Sequence, residues 1–283
     1  MNISEVIEQI KQKSQAKQIA KDSCDQVIIG DAQQEVKKIV TTFMATADVI
    51  QQAKNSGANL IITHEPTWFN GHDTKDWLVH DTIYQAKCRL AEEANVVIWR
   101  YHDHMHLAPK DQIYAGLETA LSWGSYHLLG NPTSENPLEQ AGICYEIPEL
   151  QLDKLLEQLR QVLGLKVVRF IGEPTSTVHR VGLLLGGSSL GLGDERNPMK
   201  LIAAQQLDTV ICGDITEWTL PAYVRDANML GIKKNMIILG HEKSEEMGMK
   251  YLVPWLQTFL PCSIEFIDAQ EPFTYFSASG GIQ

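Results

Sequence analysis

One local pattern recurs along the chain: a short apolar run rich in β-branched residues, a polar loop, then an amphipathic stretch at helical spacing. Ile39–Met44 reads as a strand, Ala47–Ser56 as a helix closed by Gly57, and Asn59–Thr63 as a buried-type strand. Val79–Ala94 reads as a helix, Asn95–Tyr101 as a strand and Gln112–Ser122 as a helix. The alternation resumes after a turn-rich stretch, Asn131–Pro137, that reads as a linker. Helices are expected at Gln151–Leu163, Pro198–Leu207, Leu220–Leu230 and Ser244–Leu260, and strands at Val178–Leu185, Thr209–Cys212, Asn235–Leu239 and Ser263–Asp268. Strands alternating with helices build βαβ units. The expected fold class is therefore α/β, with mixed, mostly parallel sheets flanked by helices and two blocks of similar rhythm suggesting two related lobes.

Composition narrows what such a chain does. Its 283 residues suffice for a sizeable core, and its apolar and charged fractions, 44% and 21%, are those of a water-soluble globular protein. A formal net charge of -11 repels phosphate backbones and anionic membranes, so neither nucleic acid nor membrane is expected as a partner. No apolar run reaches the roughly 18–20 residues that span a bilayer, and Met1–Lys21 is polar and periodic, unlike a signal peptide. Cys24, Cys88, Cys144, Cys212 and Cys262 are scattered and form no CxxC pair, which argues for reduced thiols and a cytoplasmic location.

Three strand ends carry ionisable clusters, where an open parallel sheet gathers its ligands. The first is Thr63-His64-Glu65-Pro66. Neighbouring side chains on a strand face opposite ways, so His64 and Glu65 converge only where the strand breaks, and Pro66 keeps Glu65 extended. The second is Arg100-Tyr-His-Asp-His-Met-His106. His102, His104 and His106 at alternate positions share a face if the strand continues, with Asp103 turned away unless the backbone bends. The third is Gly240-His241-Glu-Lys-Ser-Glu245, where His241 and Glu245 are four apart and share one helix face. Imidazole and carboxylate are good divalent-metal donors, and closely packed imidazoles repel one another unless a shared cation keeps them neutral. Each cluster alone also has a plainer reading, as solvated side chains or as histidines held by ordinary hydrogen bonds. Glu242 and Glu246, also four apart, read as a pair that faces solvent or favours the positive end of the helix dipole. About six donors are too many for one tetrahedral zinc and suit two ions. The loop Gly186–Gly193 could cradle a phosphate but matches neither GxxxxGK[ST] nor GxGxxG, and Asp214 and Glu217 could line the cleft or cap the next helix.

Glu35–Met44, Ala58–Phe69, Gly213-Asp214 and the late Gly240-His241-x-x-Ser-Glu245 together resemble the NIF-three-like family of dinuclear metal-centre proteins, also called GTP cyclohydrolase I type 2 homologues. The resemblance runs over nearly the whole chain. It implies two α/β lobes, here residues 1–133 and 134–236, with a C-terminal segment, 237–283, packing back on the first; residues 138–176 are too few for the extra domain of longer members. It implies a homo-oligomer, often a hexamer, and two divalent ions per chain: zinc, iron or manganese. The implied ligands are His64, Glu65, His241 and Glu245, where Glu65 stands in place of the family's second histidine. His104 matches the family's middle histidine, but the Asp four residues later falls on Ala108, so Asp103 or His104 itself is the implied middle ligand. His102 and His104 are the candidate proton carriers, with His102 and His106 candidates to support the ligands from behind. The expected activity is metal-dependent hydrolysis of a small molecule (nucleotide, phosphoester or cyclic amide), and the alternative is a non-catalytic metal-binding or regulatory protein.

Overall fold

A computed structural model describes residues 1–128 and 142–276. The expected linker Asn131–Pro137 lies outside them. The described residues form two compact units: 1–116 with 248–270, and 117–128 and 142–247 with 271–276.

The first unit opens with α1 (Ile3–Ser14). Asn2 starts it with a capping box: its side chain accepts the Glu5 amide at 2.8 Å, and Glu5 returns a bond to the Asn2 amide at 2.9 Å. Ile3, Val6, Ile7 and Ile10 fall on its buried face. Then come β1 (Val27–Ile29), β2 (Lys38–Thr42), α2 (Ala47–Ser56), β3 (Leu60–Thr63), α3 (Thr82–Ala94), β4 (Val97–Arg100), a single helical turn α4 (Asp103–His106) and α5 (Gln112–Leu121), whose last residues belong to the second unit. Thr46 caps the start of α2, and Gly57 ends it at φ 79, a left-handed conformation that Gly takes without strain. Asp81 caps α3 by accepting the Tyr84 amide, so that helix begins three residues after the Val79 of the sequence pattern.

The second unit contains β5 (Ile143–Gln151), α6 (Leu152–Leu163), β6 (Arg169–Ile171), β7 (Thr177–Leu184), α7 (Asn197–Ala204), β8 (Thr209–Cys212), α8 (Leu220–Met229) and β9 (Asn235–Ile238). Leu152, Leu155, Leu159 and Leu163 repeat at helical spacing on α6, and all four are buried. Each contributes roughly 1.5–3 kcal/mol by leaving water. The long helix α9 (His241–Gln257) and β10 (Ser263–Phe266) complete the chain's elements.

The five-stranded sheet of the first unit has the order β1-β4-β3-β2-β10, parallel throughout except for the edge strand β1. The second unit's sheet has the order β5-β7-β8-β9-β6, with a parallel centre and antiparallel strands at both edges. Both sheets are mixed, flanked by helices, and centred on three successive parallel strands. The central strands β3, β4, β8 and β9 are buried at every position, which explains why they read as continuous apolar runs.

Register decides what lies side by side. Thr63, the last residue of β3, pairs with Arg100, the last of β4, so His64 and Tyr101 leave adjacent strands at the same level. In the second sheet Leu184, Cys212 and Ile238 are the matching last residues of β7, β8 and β9. The chain therefore releases Gly186, Asp214 and His241 from one end of that sheet.

Candidate metal centre

In the first unit His64, His102 and His106 come together. Ring centroids are 4.4 Å apart for His64 and His102, 5.1 Å for His64 and His106, and 4.7 Å for His102 and His106. One ring nitrogen of each lies within 4.8 Å of the other two, close enough for a single cation to reach all three. His64 is fully buried, and backbone bonds from its amide to Phe43 O and from the Glu65 amide to the same oxygen fix the break at the strand end.

Each of the three rings turns its Nδ1 to an oxygen. His64 Nδ1 lies 3.3 Å from the Tyr101 carbonyl, His102 Nδ1 3.0 Å from Asp103 Oδ1, and His106 Nδ1 2.8 Å from Asp111 Oδ2. A carbonyl or carboxylate oxygen can only accept, so Nδ1 carries the proton and the lone pair of each neutral ring sits on Nε2. Oxygen partners behind a histidine fix its tautomer and orientation in metal sites. Burial, reinforced by the neighbouring His64, pushes the His102 pKa below its ordinary value, which favours the neutral, donor form. The donor set therefore fits a divalent cation.

Glu65 stands at the edge of this cluster. Its Oε1 is 3.8 Å from His102 Nε2, and its Oε2 is 3.4 Å from an Arg100 nitrogen. Arg100 is buried at the end of β4. It donates to the His64 carbonyl at 3.1 Å and the Gly71 carbonyl at 2.6 Å, and sits 3.5 Å from Asp73. The guanidinium thus pins the loop after β3 and balances the carboxylate that the sequence places beside His64.

The sequence pattern suggested that the histidines alternate along a continuing strand. Instead β4 stops at Arg100, and Asp103–His106 form a helical turn. Positions four apart then share a side, which brings His102 and His106 to His64. His104 points elsewhere: its Nδ1 lies 2.5 Å from Asp25 Oδ2, and its ring faces Tyr101. Asp103 lies behind His102, and it also accepts from Ser23 Oγ at 2.8 Å and from Cys24 Sγ at 3.3 Å. The His102 hydrogen bond, with those of Ser23 and Cys24, holds the Asp103 carboxyl well below the usual carboxylate range. Asp25 and Asp111 escaped the sequence reading. A signal existed for Asp111, which precedes α5 and accepts the Ile113 and Tyr114 amides as a cap.

In the second unit His241 and Glu245 lie on the first turns of α9, with His241 Nε2 3.2 Å from Glu245 Oε2. His241 Nδ1 meets Asp214 Oδ2 at 2.8 Å, repeating the arrangement of the first unit. Gly186 closes over the pair: a Cβ there would stand 1.9 Å from Glu245 Oε1 and 2.8 Å from His241 Nε2, at φ +50. The glycine-rich loop thus crowds metal-type donors, and Ser244 Oγ accepts the Gly186 amide at 3.0 Å.

The family model described as Duf34/NIF3 (NGG1p interacting factor 3) matches residues 1–272. The chain belongs to the NIF3 family. Among the relatives of this NIF3 chain are GTP cyclohydrolase 1 type 2 homologs from Clostridium perfringens, 25% identical over 88% of this chain and 90% of that one, and from Chlamydia pneumoniae, 24% identical over 96% and 100%. The fold is similar to that of a Bacillus cereus protein related to NIF3, with a TM-score of 0.72 and 16% identity over 97% of this chain and 99% of that one. It also resembles Staphylococcus aureus protein SA1388, with a TM-score of 0.74 and 18% identity over 97% and 99%. As a NIF3 member the chain carries candidate His/Glu metal-binding groups in an α/β frame. Among the described residues no helix is long and apolar enough to cross a membrane.

Proposed function

We propose that this NIF3 chain is a divalent-metal-dependent hydrolase that holds two ions and acts on a small phosphoester, nucleotide or cyclic amide. The observation that carries the reading is the common posture of His64, His102 and His106, each with Nδ1 engaged by an oxygen. Three histidines posed this way, with Glu65 beside them, are the first donor set; His241 and Glu245, backed by Asp214, are the second. Two donor sets support two ions. The names of the curated relatives, GTP cyclohydrolase 1 type 2 homologs, favour a hydrolytic reaction on a ring or phosphate.

Divalent ions in such sites supply Lewis acidity and lower the pKa of water. This chain's own residues do the remainder. Arg100 steadies the Glu65 carboxylate beside the three histidines. Asp103 keeps the proton of His102 on Nδ1. His104, anchored by Asp25 and turned from the three-histidine cluster, steadies the same loop. A homo-oligomer belongs to the proposal too, supported by the exposed Trp77, Ile83, Trp218 and Leu230; light scattering at a single-chain mass would remove that part.

The test is metal content of untagged protein by elemental analysis, beside His64→Ala and Glu245→Ala variants, followed by a phosphoester and nucleotide screen with chelator and metal add-back. About two ions per chain, fewer in either variant, with chelator-sensitive turnover, is the expected result. Turnover that survives full metal removal would overturn the hydrolase reading. Tight metal with no turnover on the whole panel would leave a metal-binding regulatory protein.

A further inference from the structure

Cys24 has no part in the proposed function, yet its sulfur stands against the back of the three-histidine cluster. Sγ is 3.3 Å from Asp103 Oδ1, and the same oxygen is 3.0 Å from His102 Nδ1. One donor atom from each of the three residues lies within 4.8 Å of the others. The second carboxylate oxygen of Asp103 is held from the side by Ser23 Oγ at 2.8 Å and by the Cys24 amide at 3.2 Å. Asp25 ties the two chain segments together: its Oδ1 accepts the amides of His102 and Asp103 at 2.6 and 2.8 Å, and its Oδ2 the amide of His104 at 3.0 Å. Cys24 and the 102–104 turn are therefore fixed relative to each other.

We propose that Cys24 Sγ, Asp103 Oδ1 and His102 Nδ1 form a cation site of borderline softness, suited to zinc or cobalt and distinct from the three-histidine cluster. It rests on the reading above only in sharing His102, whose other nitrogen serves that cluster. Spacing is the first argument. A tetrahedral zinc with ordinary bond lengths sets sulfur and oxygen about 3.5 Å apart and nitrogen and oxygen about 3.3 Å apart. The observed 3.3 and 3.0 Å need only a small outward movement. Ligand chemistry is the second: thiolate, imidazole and carboxylate with a fourth position open to water are a recognised zinc set. A nucleophilic role fits worse. An attacking thiol needs a base nitrogen to take its proton, whereas this one faces a carboxylate that favours keeping it. Binding displaces the thiol proton and moves the His102 proton from Nδ1 to Nε2. A neutral imidazole has one lone pair in its ring plane, so His102 serves one position at a time, and the two sites compete.

The experiment is a cobalt titration of the metal-stripped, full-length chain under a phosphine reductant. A thiolate-to-cobalt charge-transfer band in the near ultraviolet is expected. It should vanish in Cys24→Ser, persist in Cys88→Ser, and weaken at least tenfold in cobalt affinity in Asp103→Asn. His64→Ala should keep or strengthen the thiolate band and its accompanying visible absorption, because the competing cluster has lost a ligand. Absence of the band in the native chain, or its survival in Cys24→Ser, overturns the proposal. A thiolate band whose spectrum and cobalt stoichiometry are unchanged in His64→Ala and His106→Ala supports this site and sinks the three-histidine reading instead.

Discussion

Asp25 Oδ2 touches His104 twice, at the backbone amide, 3.0 Å away, and at ring Nδ1, 2.5 Å away, from 79 positions earlier in the chain. With Oδ1 on the amides of His102 and Asp103, one carboxylate satisfies the start of the helical turn that carries the histidines. Asp25→Ala would leave those donors buried without their acceptor. The expected cost is about 2–4 kcal/mol in urea unfolding, with metal affinity down roughly 10–100-fold. Asp25→Asn, which keeps one acceptor oxygen, should fall between. An alanine variant that binds metal like the native chain would remove Asp25 from the account of the site.

Gly186 leaves no room for a side chain over His241 and Glu245. Gly186→Ala would drive its Cβ into the Glu245 carboxylate and strain a left-handed residue. We expect a drop of about 1–3 kcal/mol in stability and fewer ions per chain by elemental analysis. Gly193→Ala, which meets nothing within 4 Å, is the control; its own left-handed φ still costs about 1 kcal/mol, but its metal content should be unchanged.

Arg100 faces two carboxylates, Glu65 and Asp73, from a buried position. Removing the cation strands both charges. Arg100→Met should cost about 3–5 kcal/mol, and Arg100→Lys should recover only part of it, because an ammonium cannot reach the His64 and Gly71 carbonyls and Glu65 together. Equal melting of the lysine variant and the native chain would show that charge alone matters there.

Lys87 gives a pH signature. Its Nζ donates to the Thr67 carbonyl at 2.8 Å and lies over the Trp68 and Phe69 rings. Burial lowers its pKa from 10.5 to about 8, against the smaller opposing pull of Asp73. Between these values the unfolded chain holds the proton and the folded chain does not, so the Lys87 contribution to stability rises as pH climbs from 8 to 10.5. The native chain should therefore gain on Lys87→Met by roughly 1–3 kcal/mol over that window in urea titrations. A constant difference would contradict the shift.

Much of the frame was legible in the sequence because it is local. Thr46, Ala47–Ser56 and Gly57 carry cap, helix and stop in one stretch, and α2 has those bounds. Buried parallel strands announce themselves as unbroken apolar runs, as at Thr209–Cys212. The pairing partners of β1 and β6 are distant, and these three-residue strands left no pattern to read. Their existence depends on β4 and β9 offering an edge.

By itself, the sequence determined that histidines and carboxylates would stand at strand ends, since the rhythm of apolar runs fixes where strands stop. Only the tertiary structure decided which of them meet. Alternation along Tyr101–His106 favours grouping all three of its histidines on one face if β4 runs on, but Asp25 caps the backbone there and turns it helical. His102 and His106 then fall on the side of His64, and His104 turns to Asp25. The deciding carboxylate lies more than 70 residues away. A local pattern records the period of its own backbone, not the distant acceptor that changes it.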